Sequence, residues 1–354
     1  MQATVKRGAL LELLGKVKVA VPSRSPLPIA ELILVRATKN RLELAATNLD
    51  VWLVGSCKAQ VAKDGEVCLP PKLLESFLKS TKTDSVVLSN GTKGKAIAKI
   101  EAGSASALFD AGVAKDFPPR PEEDEKVGTI ARLGKSLQEV AYAMAPDDSR
   151  PVLSGVCFRQ ARRGHLDFVA ADGFRLAKTD ARFKGNMAEP LIVPAPAVNV
   201  LVKLMPGDTV MKRGRASLSF ASDGLELHCR AVQGTYPNYE QLIPKKGAAL
   251  TVRTADLKAA VKTVSSTVGK DKSLIRLRSN SKGLVVSSKS DEGETKSVIQ
   301  ARGKVKMAFN PKYLGDLLAR SGEEMVLRTT SSSTPGVVRN NGTTHVIMPM
   351  FVQW

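Results

Sequence analysis

Apolar residues recur along this chain at one helical spacing, three times over. They fall at Leu10, Leu14, Val17 and Val21, at Leu133, Leu137, Val140 and Met144, and at Leu257, Val261, Val264 and Val268. The spacing i, i+4, i+7, i+11 puts each set on one face of an α-helix. The three starts lie 123 and 124 residues apart. Such a period predicts three copies of one unit of ~120 residues.

The repeat extends beyond one helix. A strand-like alternation follows each set: Leu42, Leu44 and Ala46, then Leu166, Phe168 and Ala170, and more weakly Leu284, Val286 and Ser288. A second helix is predicted to open at Pro71, Pro196 and Pro311, because proline's missing N–H has no intrahelical partner at a first helical position. Its apolar side is Leu73, Leu74, Phe77 and Leu78 in the first copy, Val198, Leu201, Val202 and Met205 in the second, and Tyr313, Leu314, Leu317 and Leu318 in the third. Each copy closes on an apolar–proline pair: Phe117-Pro118, Tyr236-Pro237 and Met348-Pro349. Four features in one order at a near-constant period set the pattern apart from chance. The expected architecture is α+β in three domains, 1–122, 123–246 and 247–354, each running helix, strands, helix, strands. Polar joints are expected at 120–125 and 244–247, and strands in every copy can join edge to edge across domains.

Composition narrows the class. Of 354 residues, 43% are hydrophobic, enough for full cores, yet no apolar run approaches the ~20 residues that cross a bilayer. Lys6 and Arg7 precede no long apolar stretch, so no secretory signal is expected. Cys57, Cys68, Cys157 and Cys229 form no CxxC pair, which argues against a zinc site or disulfide scaffold and for a reducing cytoplasm. The formal net charge is +19, about +3, +7 and +9 in residues 1–125, 126–250 and 251–354. A folded chain this basic is expected to meet a polyanion. The helices carry much of it: Lys72, Lys79, Lys203, Lys258 and Lys262 all fall on predicted helices.

Catalytic signals are sparse. His165, His228 and His345 have no second ligand candidate nearby in sequence. Residues 91–95 (GTKGK) have the wrong spacing for a phosphate loop and are expected to form a hairpin turn. Asp147-Asp148 is the one tempting carboxylate pair for a nuclease, and it is expected to be a turn. No enzyme, cofactor or metal is therefore expected. Basic helices without base-reading or catalytic groups point to a protein that holds the phosphate backbone and ignores sequence.

Several stretches resemble the bacterial sliding-clamp family, the processivity (β) subunit of the replicative DNA polymerase III holoenzyme. They are residues 24–29 (RSPLPI), 150–155 (RPVLSG), 171–177 (ADGFRLA), 236–244 (YPNYEQLIP) and 346–350 (VIMPM), in family order across nearly the whole chain. The resemblance implies three clamp domains per chain and a head-to-tail homodimeric ring, with helices lining the inside and antiparallel sheets outside. It implies double-stranded DNA in the hole, touched by Arg24 and Arg150 as well as the helix lysines. It also implies a pocket for short peptides of polymerase, clamp loader and other clamp-binding-motif proteins, at Leu153, Gly173, Arg175, Leu176, Pro237, Leu242, Asn310, Tyr313, Val346, Ile347, Met348, Pro349 and Met350. Leu108 and Phe109 would meet a partner chain near Val264 and Val268. The alternative is a basic clamp-fold DNA-binding protein that does not close into a ring. This chain departs from the family pattern at Ala171, Phe174, Gln241 and the tail Phe351-Val352-Gln353-Trp354, and its charge is far more basic than the commonly acidic outer surface of such rings.

Overall fold

The structure is a computed structural model describing residues 1–90, 97–121, 125–147, 149–244, 246–266, 274–290 and 293–354. Val268, the expected 91–95 turn, linker residues 122–124, Asp148 and Lys245 lie outside the described residues. Among those described are six α-helices, two per repeat. They are α1 (Arg7–Val17) and α2 (Pro71–Ser80), α3 (Leu133–Val140) and α4 (Ala195–Leu204), α5 (Thr254–Ser265) and α6 (Pro311–Arg320). The expected apolar faces are buried: Leu10, Leu14 and Val17, Leu133, Leu137 and Val140, Leu257 and Val264. α1 and α3 end sooner than their periodicity predicts. A tighter 3-10 turn follows each, Lys18–Ala20 and Ala141–Ala143, and leaves Val21 and Met144 past the end. Pro71 and Pro311 open their helices, Pro196 is the second residue of α4, and Leu73 is 55% exposed, off the apolar face.

One element type escaped the sequence pattern. A strand precedes each first helix: Gln2–Lys6, Glu125–Ile130 and Ala248–Arg253. Each is short and has only two inward positions, such as Ala3 and Val5 or Leu250 and Val252, too few for a legible alternation. Glu125, expected in the linker, begins the second of these strands.

The chain forms two compact units, 1–135 with 182–187 and 193–231, and 136–181 with 188–192 and 232–354. Each unit contains one outer repeat and part of the middle one, because the repeats join through paired strands. In the first unit, Val51–Lys63 runs antiparallel to Leu225–Arg230, with Val51 opposite Cys229 and Gly55 opposite Leu225. In the second, the start of Arg175–Gly185 runs antiparallel to Thr343–Ile347, with Arg175 opposite Ile347 and Lys178 opposite Thr344. Each join satisfies backbone groups that a separate repeat would leave open at a sheet edge. No helix among the described residues is long and apolar enough to cross a membrane.

Gly134 shows how closely α3 approaches the end of α4. Its N–H donates to the Met205 carbonyl at 3.0 Å, and a Cβ there would lie 2.6 Å from the carbonyl oxygens of both Leu201 and Met205. Gly134→Ala is expected to push α3 away and destabilise the protein by about 1–3 kcal/mol, the usual range for overpacking. Urea denaturation measures this; an unchanged midpoint would mean that α3 shifts freely.

Candidate functional site

The Arg175–Lys178 and Thr343–Ile347 register decides what this sheet shows on each face. Leu176 stands opposite Val346, and both are buried in a cluster with Cys157, Val169, Tyr239 and Val337. Arg175 and Ile347 share the other face, where Ile347 enters the core beneath α6. Two backbone bonds guide the chain onward: Met348 N–H donates to the Phe174 carbonyl at 2.8 Å, and Met350 N–H to the Ala308 carbonyl at 2.7 Å. Met348, Pro349 and Met350 are half-buried, while Leu242 and Phe174 are 44% and 52% exposed. Leu153 is buried at the end of the turn Pro151–Leu153. Gly173 has φ +92°, and a Cβ there would sit 3.1 Å from Arg150 Nη1. Asn310 caps α6, its side chain accepting from the N–H of Lys312 at 2.9 Å and of Tyr313 at 3.4 Å. Pro237 lines a neighbouring cleft of about 690 Å³ with Tyr236 and Tyr239.

A polar network stiffens this site. Arg175 Nε donates to Asp172 Oδ2 at 2.9 Å, and Arg175 Nη1 donates to Asp316 Oδ2. The same guanidinium lies 4.7 Å from the Tyr313 ring centre and 5.2 Å from that of Tyr142, while Arg320 covers Tyr142 at 3.8 Å. Phe174 stacks on Tyr313 with centroids 5.9 Å apart and planes 22° apart. Asp172 also accepts from the N–H groups of Phe174 and Arg175, at 2.9 and 3.0 Å. Behind them Tyr142 Oη and His345 Nδ1 share a 2.9 Å hydrogen bond. Burial pushes the His345 pKa down to about 4, helped by the charge of Arg320, and burial raises the Tyr142 pKa. The sequence motif contained Asp172 and Arg175, but Tyr142, Asp316, Arg320 and His345 come from distant segments and carried no local signal. Rigid polar groups support exposed aromatic and thioether groups here. That arrangement suits binding of an apolar peptide segment.

The expected DNA-facing residues Arg24, Lys72, Lys79, Arg150, Lys203, Lys258 and Lys262 are all exposed. Arg24 and Arg150 lie in loops, and the lysines on α2, α4 and α5. Lys79 is partly neutralised: Glu75 pairs with it at 2.8 Å and with Lys18 at 2.6 Å. Hydrogen bonds from both lysines hold the Glu75 carboxyl below the usual range. Of the expected dimer contacts, Leu108 is 69% exposed, but Phe109 is buried edge-on against Phe77 at 6.4 Å. Val264 is fully buried on the core side of α5, so its side chain offers a partner no surface.

Comparisons with known proteins agree along the whole chain. The family models of the DNA polymerase III beta subunit match in order: the N-terminal domain at residues 1–118, the central domain at 129–238 and the C-terminal domain at 240–351. The beta sliding clamp of Pseudomonas aeruginosa is 27% identical over 368 residues, covering 99% of this chain and 100% of that protein. That of Chlamydia pneumoniae is 25% identical over 369 residues, covering 99% of both. Among solved structures, the DNA polymerase III subunit beta of Pseudomonas aeruginosa superposes with a TM-score of 0.91 at 25% identity, covering 99% of this chain and 100% of that one. The Bacillus subtilis sliding clamp superposes with a TM-score of 0.90 at 20% identity over 100% of both chains, a likeness of fold.

His345 makes the stability of this region pH-dependent. With its folded pKa near 4, the buried ring stays neutral while the unfolded chain takes up a proton below pH ~6.5. Stability is therefore lost as pH falls from ~6.5 to ~4 and levels off below that, by about 3 kcal/mol. His345→Asn is expected to remove most of this acid loss, read from urea midpoints at pH 7 and pH 4.5. Parallel pH profiles for the two proteins would refute it.

Proposed function

The chain belongs to the DNA polymerase III beta-subunit family, and on that premise we propose how it works. It is a processivity factor and not an enzyme. As a homodimeric sliding clamp it encircles duplex DNA without sequence specificity and tethers the replicative polymerase. A clamp loader opens it, and other proteins with clamp-binding motifs share its pocket. Its place is the cytoplasm, with the DNA it serves. Domain limits at 122–123 and 246–247 fit the repeat period.

The observation that carries ring closure is the rule by which repeats join. In both joins within the chain, the third strand after the first helix of one repeat meets the last strand of the next: Val51–Lys63 with Leu225–Arg230, and Arg175–Gly185 with Thr343–Ile347. The same rule leaves Gly293–Ile299 of the third repeat and Ala105–Asp110 of the first. Among the described residues each of these is hydrogen-bonded to one neighbouring strand only. Each also displays an apolar side chain, Val298 at 54% and Leu108 at 69% exposure. Two chains pairing these edges reciprocally make two identical contacts and cover both edges. The partner surface for Leu108 is then the Gly293–Ile299 strand, with Val264 packed inside its own repeat.

Topology supplies the grip on DNA, so no tight site is needed. Exposed lysines on the helices lower the energy of phosphate in the hole, and the absence of base readout lets the ring slide. The pocket built on Arg175, Phe174, Tyr313 and Met348–Met350 receives the apolar end of a partner peptide. Phe174 replaces the histidine frequent in the family, so its stack on Tyr313 gives the pocket an aromatic wall of its own.

Retention on a closed circular plasmid, after loading with clamp loader and ATP and a high-salt wash, is expected, with loss when the plasmid is linearised. Salt strips ordinary phosphate contacts but leaves a topological link. Equal loss from both forms, with a solution mass of one chain, would establish the open alternative. Phe174→Asp with Met350→Asp should abolish polymerase-peptide binding and spare retention on circles; retained peptide affinity would defeat the pocket assignment. Leu108→Asp with Val298→Asp should lower the light-scattering mass from two chains to one chain of 37.9 kDa. An unchanged dimer would rule out the edge-strand contact.

A further inference from the structure

The third repeat carries the largest excess of positive charge, and its position in the fold is informative. Strands Ile275–Asn280, Gly283–Ser290, Gly293–Ile299 and Lys306–Phe309 form one antiparallel sheet. Ile275, Leu277, Leu284, Val286, Met307 and Phe309 face inward and pack with Leu257, Val264 and Leu314 of α5 and α6. The alternate positions face the other way, and there stand Arg276, Arg278, Lys289, Lys296 and Lys306. Arg278 lies directly opposite Lys306 across the ladder. Like charges directly opposite destabilise a sheet. Arg276 and Lys296 flank Ser287 in the same row. Glu294 is the one acid at these outward positions among the described residues, and it is paired with Lys296 at 2.8 Å. Asp291 and Glu292, which follow Ser290 in the sequence, lie outside the described residues.

The edge of this face adds other groups that suit a phosphate backbone. A groove of about 860 Å³ is lined by Lys304 and Lys306 together with the polar side chains of Ser279, Asn280, Ser281 and Thr330. The C-terminal tail, held by the bond from Met350 to Ala308, brings the Trp354 ring to 5.2 Å from Lys306 Nζ. That indole is 45% exposed. Cations with hydroxyl and amide donors are the usual set for phosphate and sugar contacts, and an exposed aromatic ring beside them can stack on a base. An acidic protein would use the cations but has no need of the ring. This face is on the opposite side of the sheet from α5 and α6, so DNA held against those helices does not reach it.

We propose that the outward face of this sheet, with the groove at its edge, is a second, sequence-independent contact for the phosphate backbone of nucleic acid, separate from the helix-lined hole. It holds DNA that has not been threaded through the ring, and accounts for a charge pattern that the sheet itself gains nothing from.

The test uses the full chain without loader or ATP. A closed ring cannot thread covalently closed DNA, so binding to closed circles reports contacts outside the hole. The probes are a closed circular duplex, a closed circular single strand and polyglutamate, titrated at several salt concentrations. The variant is Arg276→Gln, Arg278→Gln, Lys304→Gln and Lys306→Gln combined. Its affinity for circles is expected to fall roughly tenfold or more at low salt, and the log–log salt slope by ~3.6 on the duplex and ~2.8 on the single strand, the values for four lost phosphate contacts. A charge-keeping variant, Arg276→Lys with Arg278→Lys, should stay within about twofold of the parent, since each cation still meets phosphate as a point charge. Lys258→Ala with Lys262→Ala on α5 should leave circle binding unchanged. Loader-dependent retention should survive in the four-site variant, so failure of this proposal is distinguishable from failure of the ring. Tighter binding to the single strand assigns stacking to Trp354, and equal binding assigns phosphate alone. If the four-site variant unfolds, Arg278→Gln and Lys306→Gln are measured singly, each expected to lower the slope by ~0.7–0.9. Unchanged affinity and slope would overturn the proposal. So would a loss confined to polyglutamate, which would make the face an acidic-protein site.

Discussion

The constraint on which the rest of this structure depends is the unpaired edge of a β-sheet. A strand at an edge presents a row of N–H and C=O groups that seek partners. Each repeat of this chain ends in such edges, and within the chain they are satisfied twice in the same way, by Leu225–Arg230 against Val51–Lys63 and by Thr343–Ile347 against Arg175–Gly185. The pairing is a matter of backbone geometry, so the side chains on either face are free to serve other ends. On the inner face they pack the helices. On the outer face of the four-stranded sheet of the third repeat they gather charge. The edges of Gly293–Ile299 and Ala105–Asp110 are not used in this way within the chain, and a protein that closes on itself has a use for them.

The second join also builds the proposed peptide pocket. Because Arg175 falls opposite Ile347 and Leu176 opposite Val346, one face receives the arginine and the other the apolar pair. A shift of one residue would exchange them. A buried guanidinium is costly unless its donors are satisfied, and here Asp172 and Asp316 accept from it while Tyr142 and Tyr313 offer their rings. The result is a rigid support under groups that are adaptable: the thioethers of Met348 and Met350 and the exposed ring of Phe174. Rigidity below and plasticity above suit the proposed role of accepting several related peptides.

Charge is distributed by the same logic. Helix lysines such as Lys258 and Lys262 project from α5 while Leu257 and Val261 pack beneath them. Not every helical cation counts in full, since Glu75 takes up Lys18 and Lys79. The outward arginines of the third repeat's four-stranded sheet lie on the opposite side of that sheet from these helices, which divides the basic character of the third repeat between two surfaces.

By itself the sequence determined the repeat, the helices and the class of partner. These depend on local periodicity and on summed charge, and both are properties of short segments or of composition. Leu10, Leu133 and Leu257 announced their buried faces because helix geometry acts within a few residues. The short strands Gln2–Lys6, Glu125–Ile130 and Ala248–Arg253 stayed silent, since two inward residues make no period. The proposed pocket rests on a motif seen through its resemblance, while the polar support beneath that motif had no sequence signal. Tyr142, Asp172, Asp316, Arg320 and His345 meet only once the strands have found their register, and nothing near each residue foretells the others. Likewise the burial of Val264, and the alignment of Arg278 with Lys306, were decided by which face of an element turned inward. That choice is made by the packing of the whole repeat, and so belongs to the tertiary structure.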